Sequence, residues 1–312
     1  MLERRELSTW VAAALALLGG AACRSPSESP KEPPPVEEAA TPAKTTQLAG
    51  VDTSALTQRE QSKWQEYVTE LLAPCPDQPV NVAQCVSEAR ACAACLPAAK
   101  FLVDRVRRGD ARPQAEAAYR ARFSPEAVKN IDLSGSPVKG AEKPAVTVVE
   151  WADFECPFCA VAAPLLKQLV ERYPDQVRLV FKNYPLAAHE HAENAARAAV
   201  AAHLQGKFWP LQQALFESQK SGLDAERVLS LARDAGLEMK GFEAALGSEA
   251  SADSVARDRK QADELGLEGT PMIYINGRYF NFDHFDLRQD LEPWVELEIS
   301  MTSGAAAQAK KN

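Results

Sequence analysis

Apolar positions follow two different periods along the chain, and the change between them divides it. Leu56, Trp64, Tyr67, Val68, Leu71 and Leu72 fall mostly at helical spacing, which predicts an amphipathic helix within 55–73. Asn81 followed by Gln84 reads as a capping box that opens a helix near Val82. Pro97 suits the first turn of a further helix that Gly109 closes. Two shorter helices are expected over 112–123 and 124–131, the second with Ser124 as cap and Pro125 at its first position. The stretch "DLSGSPVKGAEKP" then breaks the pattern. After it, Val146 to Ala152 is a near-continuous apolar run and is expected as a strand, followed by a helix from Cys156 that Pro164 should kink. A second strand is expected over 177–182. A long Ala-rich helical stretch fills 190–264, punctuated at Gly206, Gly222, Gly236 and Gly247. "GTPMIYINGRYF" reads as two strands joined through Asn276-Gly277, and a last helix is expected around 286–299. The second half of the chain is therefore α/β, a mixed sheet with helices on its faces.

The N-terminus changes the picture of where such a chain works. A short charged start, an apolar run from Trp10 to Leu18 and small residues up to Cys23 read as an export signal over 1–22, the run being too short to span a bilayer as a mature helix. Small residues directly before a cysteine resemble a lipoprotein signal, with Cys23 lipidated, although Gly20 stands where Leu is usual, and Gly20-Ala21-Ala22 would also suit an ordinary signal peptidase and soluble export. Residues 23–50, rich in Pro, Glu and Ser, cannot bury enough surface to fold and read as a tether. Seven cysteines minus Cys23 leave an even six, which suits an oxidising compartment such as the periplasm or cell envelope. A net charge of −8, with only short basic runs, argues against a nucleic-acid or anionic-membrane surface; membrane contact would come through the lipid at Cys23.

The chemistry concentrates in "VTVVEWADFECPFCAVAAP". A zinc site built on Cys156 and Cys159 needs two more ligands, yet no cysteine follows, and His189-Glu190-His191 reads as polar side chains facing solvent at a helix start. A c-type haem needs His after the second cysteine, where Ala160 stands. A strand running into a helix puts Cys156 at the helix N-terminus, where free N–H groups and the dipole stabilise thiolate. Cys156 is then the nucleophile and Cys159, one turn on, the resolving thiol. No metal and no cofactor are implied, because sulfur itself carries the electrons.

"VEWADFECPFC", "AARAAVAAHLQGKFWPLQQALFESQ" and "GTPMIYINGRYF", in that order, resemble the DsbA branch of thioredoxin-fold thiol–disulfide oxidoreductases over roughly 145–300. The resemblance implies a thioredoxin fold over 140–300 with a helical insertion at about 189–264; a flexible tail is expected beyond it, over 301–312. It implies that Glu150 is a buried acid relaying a proton to the second thiol, and apolar Val148, Val149 and Trp151 around it suit a strand buried on both faces. It also implies that Pro271 is a cis-proline beside the sulfurs, leaving the Thr270 backbone free to pair with a substrate strand. Strongly oxidising members carry Pro-His between the cysteines; Pro157-Phe158 stands here, and Thr270 is commoner in isomerase and reductase relatives. A milder oxidant is the expectation. Substrates would be cysteine-containing exported proteins, with a membrane redox partner.

The segment 51–132 is expected as a small all-α domain bearing Cys75, Cys85, Cys92 and Cys95. Disulfides are favoured over a four-thiolate zinc site, since two Cys-x-x-Cys arms are not both present. If Val82 to Cys95 is one helix, Cys85 lies about 10 Å from Cys92 and about 15 Å from Cys95 along it. A disulfide needs Cα atoms within about 7 Å, so that helix leaves Cys75–Cys85 with Cys92–Cys95. Two functional readings stand: a thiol–disulfide oxidoreductase, or a non-catalytic thioredoxin-fold binding or chaperone module that docks a partner through the four-cysteine domain. The intact Cys156–Cys159 pair and Glu150 favour the first.

Overall fold

The computed structural model describes residues 47–309 of the chain, with side chains to 302. The signal segment, Cys23 and nearly all of the tether lie outside the described residues. Leu48 is already buried in the helical domain, so the packed chain begins before position 50, earlier than composition suggested.

Four helices form the first part: α1 (Gln58–Glu70), α2 (Val82–Ser87), α3 (Cys95–Arg107) and α4 (Arg112–Phe123). α1 and α2 open with capping boxes, Thr57 with Glu60 and Asn81 with Gln84. Trp64, Tyr67, Leu102, Val106 and Phe123 fill their shared core, and the Trp64 indole donates to the Ala99 carbonyl at 3.0 Å. The helix expected over 124–131 is only a 3₁₀ turn, Pro125–Ala127, because Val128 is extended and bridges Arg278 of the later hairpin.

The single helix assumed from Val82 to Cys95 does not exist. α2 stops at Ser87, and Ala89 takes a left-handed φ of 47°. The Ala89 amide donates to the Val86 carbonyl and the Arg90 amide to that of Cys85, both at 3.1 Å. This is a Schellman ending with alanine where glycine is usual, so no residue announces it. The reversal carries Cys92 to Cys75 and Cys95 to Cys85, with Cα separations of 6.0 and 5.9 Å. The disulfides are therefore Cys75–Cys92 and Cys85–Cys95, and the pairing inferred from an unbroken helix is corrected.

The second part is a five-stranded sheet in the order β1-β3-β2-β4-β5: β1 (Val138–Gly140), β2 (Val146–Ala152), β3 (Val177–Asn183), β4 (Met272–Ile275) and β5 (Arg278–Tyr279). β2 runs parallel to β3 and antiparallel to β4, so it is central and bonded on both edges. β1 lies within the stretch that breaks the helical pattern and is a short edge strand antiparallel to β3. At the β4–β5 turn Asn276 and Gly277 both have positive φ, and a side chain at Gly277 would strike the Lys129 carbonyl.

One face of the sheet is covered by α5 (Pro157–Arg172) and α11 (Leu287–Ala309), through Leu166, Leu169, Trp294 and Val295 against Val148 and Ile273. α5 continues as one helix through Pro164, and α11 runs past 301, where a flexible tail was expected. Ala-rich sequence there favours continuation, and Leu297 and Met301 pack on the four-helix core. The stretch between β3 and β4 folds as α6 (Ala192–Leu204), α7 (Phe208–Ser218), α8 (Ala225–Asp234), α9 (Met239–Leu246) and α10 (Glu249–Glu264). α6 buries Ala195, Ala198, Ala199, Ala201 and Ala202, small side chains that let its neighbours approach closely. The helical domain is locked to α11 by the buried Arg122–Glu298 pair at 2.6 Å and by Arg108 on Asp290 at 2.9 Å. Among the described residues no helix is long and apolar enough to cross a membrane.

Candidate active site

β2 delivers the chain from the sheet centre to a three-residue loop, Asp153–Glu155, and then to α5. Cys156 is the N-cap of α5, Pro157 its first residue, and Cys159 sits within its first turn. Proline fits there because its missing N–H would have had no helical partner. Cys156 is 4% exposed and Cys159 wholly buried, and both thiols are free. The Cys156 thiol donates to the Thr270 carbonyl across 3.2 Å, and the Thr270–Pro271 peptide that presents this oxygen is cis. Phe158 points outward at 71% exposure, far from any role in holding charge on sulfur.

The two sulfurs are driven apart electrostatically. A hydrogen bond from the Cys159 thiol is the largest influence on Cys156 and lowers its pKa to about 5. Burial opposes this, while the amides of Cys159 and Phe158 reinforce it. Those amides are the unpaired donors of the helix start, so the thiolate completes the helix electrostatically. Cys159 moves the other way, raised well above the ordinary thiol value by burial first and then by its bond to Cys156.

Glu150 lies on central β2 opposite Phe181 of β3 and Ile273 of β4, 1% exposed. Neither carboxylate oxygen has a hydrogen-bond partner among the described residues. Burial, then the negative charge on Cys156, pushes its pKa up to about 8. A buried acid that keeps its proton at neutral pH, and raises the neighbouring Cys159 thiol in turn, can hand that proton to sulfur and take it back.

Two residues not singled out in the sequence, Gln219 and Asp153, and one read differently there, His189, shape the site. The Gln219 side-chain amide, at the end of α7, donates to the carbonyls of Phe154 at 2.8 Å and Cys156 at 2.9 Å. Asp153 is buried and takes the Glu155 amide at 2.6 Å and the Leu186 amide at 2.7 Å, while its own carbonyl accepts from the Cys156 amide at 3.1 Å. His189 Nδ1 lies 2.8 Å from the same Asp153 carboxylate. That bond raises the imidazole above its ordinary pKa, with the charge on Cys156 adding to the effect. His189 was expected as a solvent-facing polar side chain; it is bonded to Asp153 in the loop framework of the site. Its partner is 36 residues away, so no local pattern could have paired them.

A strand, a dithiol at the start of the next helix, a buried acid behind it and a cis X-Pro peptide facing it lie together in one site. A family model described as Thioredoxin matches residues 132–292, just over half of the chain. The chain belongs to the thioredoxin family, and it carries five helices between β3 and β4.

Among curated proteins it is similar to the Na(+)/H(+) antiporter NhaA 3 of Salinispora tropica, 37% identical over 149 residues, 47% of this chain and 22% of that protein. It is likewise similar to the Na(+)/H(+) antiporter NhaA of Herminiimonas arsenicoxydans, 36% identical over 148 residues, 47% of this chain and 23% of that protein. The chain thus spans under a quarter of the length of these relatives. Among solved structures, a thioredoxin-like oxidoreductase from Silicibacter pomeroyi is 30% identical, with 54% of this chain and 96% of that one covered at a TM-score of 0.47. BdbD from Bacillus subtilis is 25% identical, with 55% and 97% covered at a TM-score of 0.46.

Proposed function

We propose that the chain is an exported thiol–disulfide oxidoreductase acting on cysteine pairs of other extracytoplasmic proteins through Cys156 and Cys159. The observation that carries this reading is the opposed character of the two sulfurs: a thiolate held at the α5 start and a buried, high-pKa thiol one turn inside. A thiolate so stabilised favours the reduced form, which makes the disulfide an oxidant.

In the oxidising direction, a substrate thiolate attacks Sγ of Cys156 in the Cys156–Cys159 disulfide. That bond breaks, and Cys159 leaves with the proton that Glu150 supplies. The second substrate thiol, giving up its proton to solvent, then attacks the substrate sulfur of the mixed disulfide, and Cys156 departs as a thiolate. Two substrate thiols are oxidised by two electrons and the pair is reduced by two. The groove of about 780 Å³ beside Phe158, Val161, Thr270, Pro271 and Tyr279 suits an extended polypeptide, with Thr270 offering backbone to it. Reoxidation falls to a membrane redox partner, and lipidation at Cys23 would keep the chain near it.

Single substitutions test the roles. Cys156→Ser should reduce insulin-disulfide reduction to the uncatalysed background, whereas Cys159→Ser should accumulate mixed disulfides visible on non-reducing gels. Full activity in Cys156→Ser would overturn the assignment of the nucleophile.

A further inference from the structure

We propose that the four-cysteine cluster is a second thiol–disulfide exchange centre, which takes two electrons from an external dithiol at Cys75 and moves its remaining disulfide onto Cys92–Cys95. The proposal stands independently of what Cys156 and Cys159 do.

The two disulfides are not separate staples. The sulfurs of Cys85, Cys92 and Cys95 all lie within 4.8 Å of one another, so one sulfur of the first disulfide sits against both sulfurs of the second. The cluster also has a graded exposure. Cys85, Cys92 and Cys95 are 1%, 6% and 3% exposed, while Cys75 is half-buried. An incoming thiolate therefore meets Cys75 first, and attack there expels the interior partner.

The steps balance. One thiolate of the external dithiol attacks Sγ of Cys75, the Cys75–Cys92 bond breaks, and Cys92 leaves as a thiolate. The second thiol of the reagent resolves the mixed disulfide, so the reagent is oxidised by two electrons and Cys75 is left as a thiol. The buried Cys92 thiolate, within reach of Sγ of Cys95, attacks it. The Cys85–Cys95 bond breaks, Cys92–Cys95 forms, and Cys85 leaves and takes a proton. This last step moves a bond without any net change in electrons.

Cys95 is the favoured target over Cys85 because its ring is already folded. The Cys95 amide donates to the Cys92 carbonyl at 3.3 Å, closing a four-residue turn. Such a turn holds its end Cα atoms within about 7 Å, the span that a disulfide tolerates. Closing so short a loop costs less chain entropy than a Cys85–Cys92 bond across the α2–α3 reversal.

The test uses the full chain carrying Cys156→Ser and Cys159→Ser, so that only the cluster reacts, under graded dithiothreitol with acid quenching, alkylation and peptide mapping. The expected two-electron form carries alkyl groups on Cys75 and Cys85 and a Cys92–Cys95 linkage. Retention of Cys85–Cys95 with Cys75 and Cys92 alkylated would overturn the proposal, as would a Cys85–Cys92 linkage. No cluster cysteine is substituted, so a folding defect there cannot confuse the result.

Discussion

"CPFC" and "CAAC" have the same spacing and opposite fates, and the difference lies in where each meets its helix. In the first, the leading cysteine caps α5 and the trailing one sits inside its first turn. The unpaired amides of that turn converge on the leading sulfur, and the two sulfurs face each other with no other cysteine near. In the second, the motif sits two residues earlier against its helix. Cys92 lies outside α3 and Cys95 is its first residue. Each of these sulfurs is bonded beyond the motif, to Cys75 and Cys85. A Cys-x-x-Cys is thus not one device. Its phase against the helix start decides which sulfur becomes thiolate, and neighbouring cysteines decide whether the pair closes on itself.

Glu150 offers the strongest means of testing this contrast, because only the first motif has a buried acid behind it. Glu150→Gln should slow release and protonation of Cys159 by about 100-fold near neutral pH, read as the resolution rate of a trapped mixed disulfide. The same residue sets a pH signature on stability. The folded chain holds the Glu150 proton up to about pH 8, whereas an unperturbed carboxyl releases it near 4.5, so its contribution is intact below 4.5 and lost as pH rises through 8. Glu150→Gln removes that loss. The variant should gain roughly 3–5 kcal/mol on the parent between those limits in denaturant unfolding of the reduced protein. Parallel pH profiles for the two would show that the acid is not desolvated as described.

The dipeptide sharpens the comparison at a smaller scale. Phe158 cannot assist the thiolate, so Phe158→His should lower the Cys156 pKa and shift the reduction potential upward, on the order of 10–30 mV for so exposed a position. A more negative potential against glutathione would break the link between dipeptide and thiolate. His189→Asn should act more weakly still. Removing the imidazole bonded to Asp153 should raise the Cys156 pKa by less than about one unit, followed by thiolate absorbance at 240 nm. An unchanged titration would leave His189 a brace for the loop alone.

Much of the second half of the molecule was legible because its signals are local. The apolar run 146–152, the glycines at 206, 222, 236 and 247, and Asn276-Gly277 mark elements through short-range conformational preference, and the structure places strand, helix breaks and hairpin there. The helix-start position of Cys156 was equally local, since strand and helix abut it directly. Asn81 and Gln84 announced α2 through a bond spanning three residues.

What escaped the sequence was settled by contacts between distant segments. Ala89 ends α2 in a conformation alanine seldom takes, because the packed helices and two disulfides hold the reversal in place. That single turn replaced one cysteine pairing with another. β1 exists because an exposed edge of β3 accepts it, and His189 matters because the β3–α6 loop folds back onto Asp153. The sequence by itself determined the α/β character, the position of the dithiol and the order of its elements, since hydrophobic period and turn chemistry act over a few residues. The raised pKa values of Cys159 and Glu150 and the linkage of the other four cysteines were decided by tertiary structure alone, because desolvation and sulfur–sulfur distance are properties of what packs around a residue.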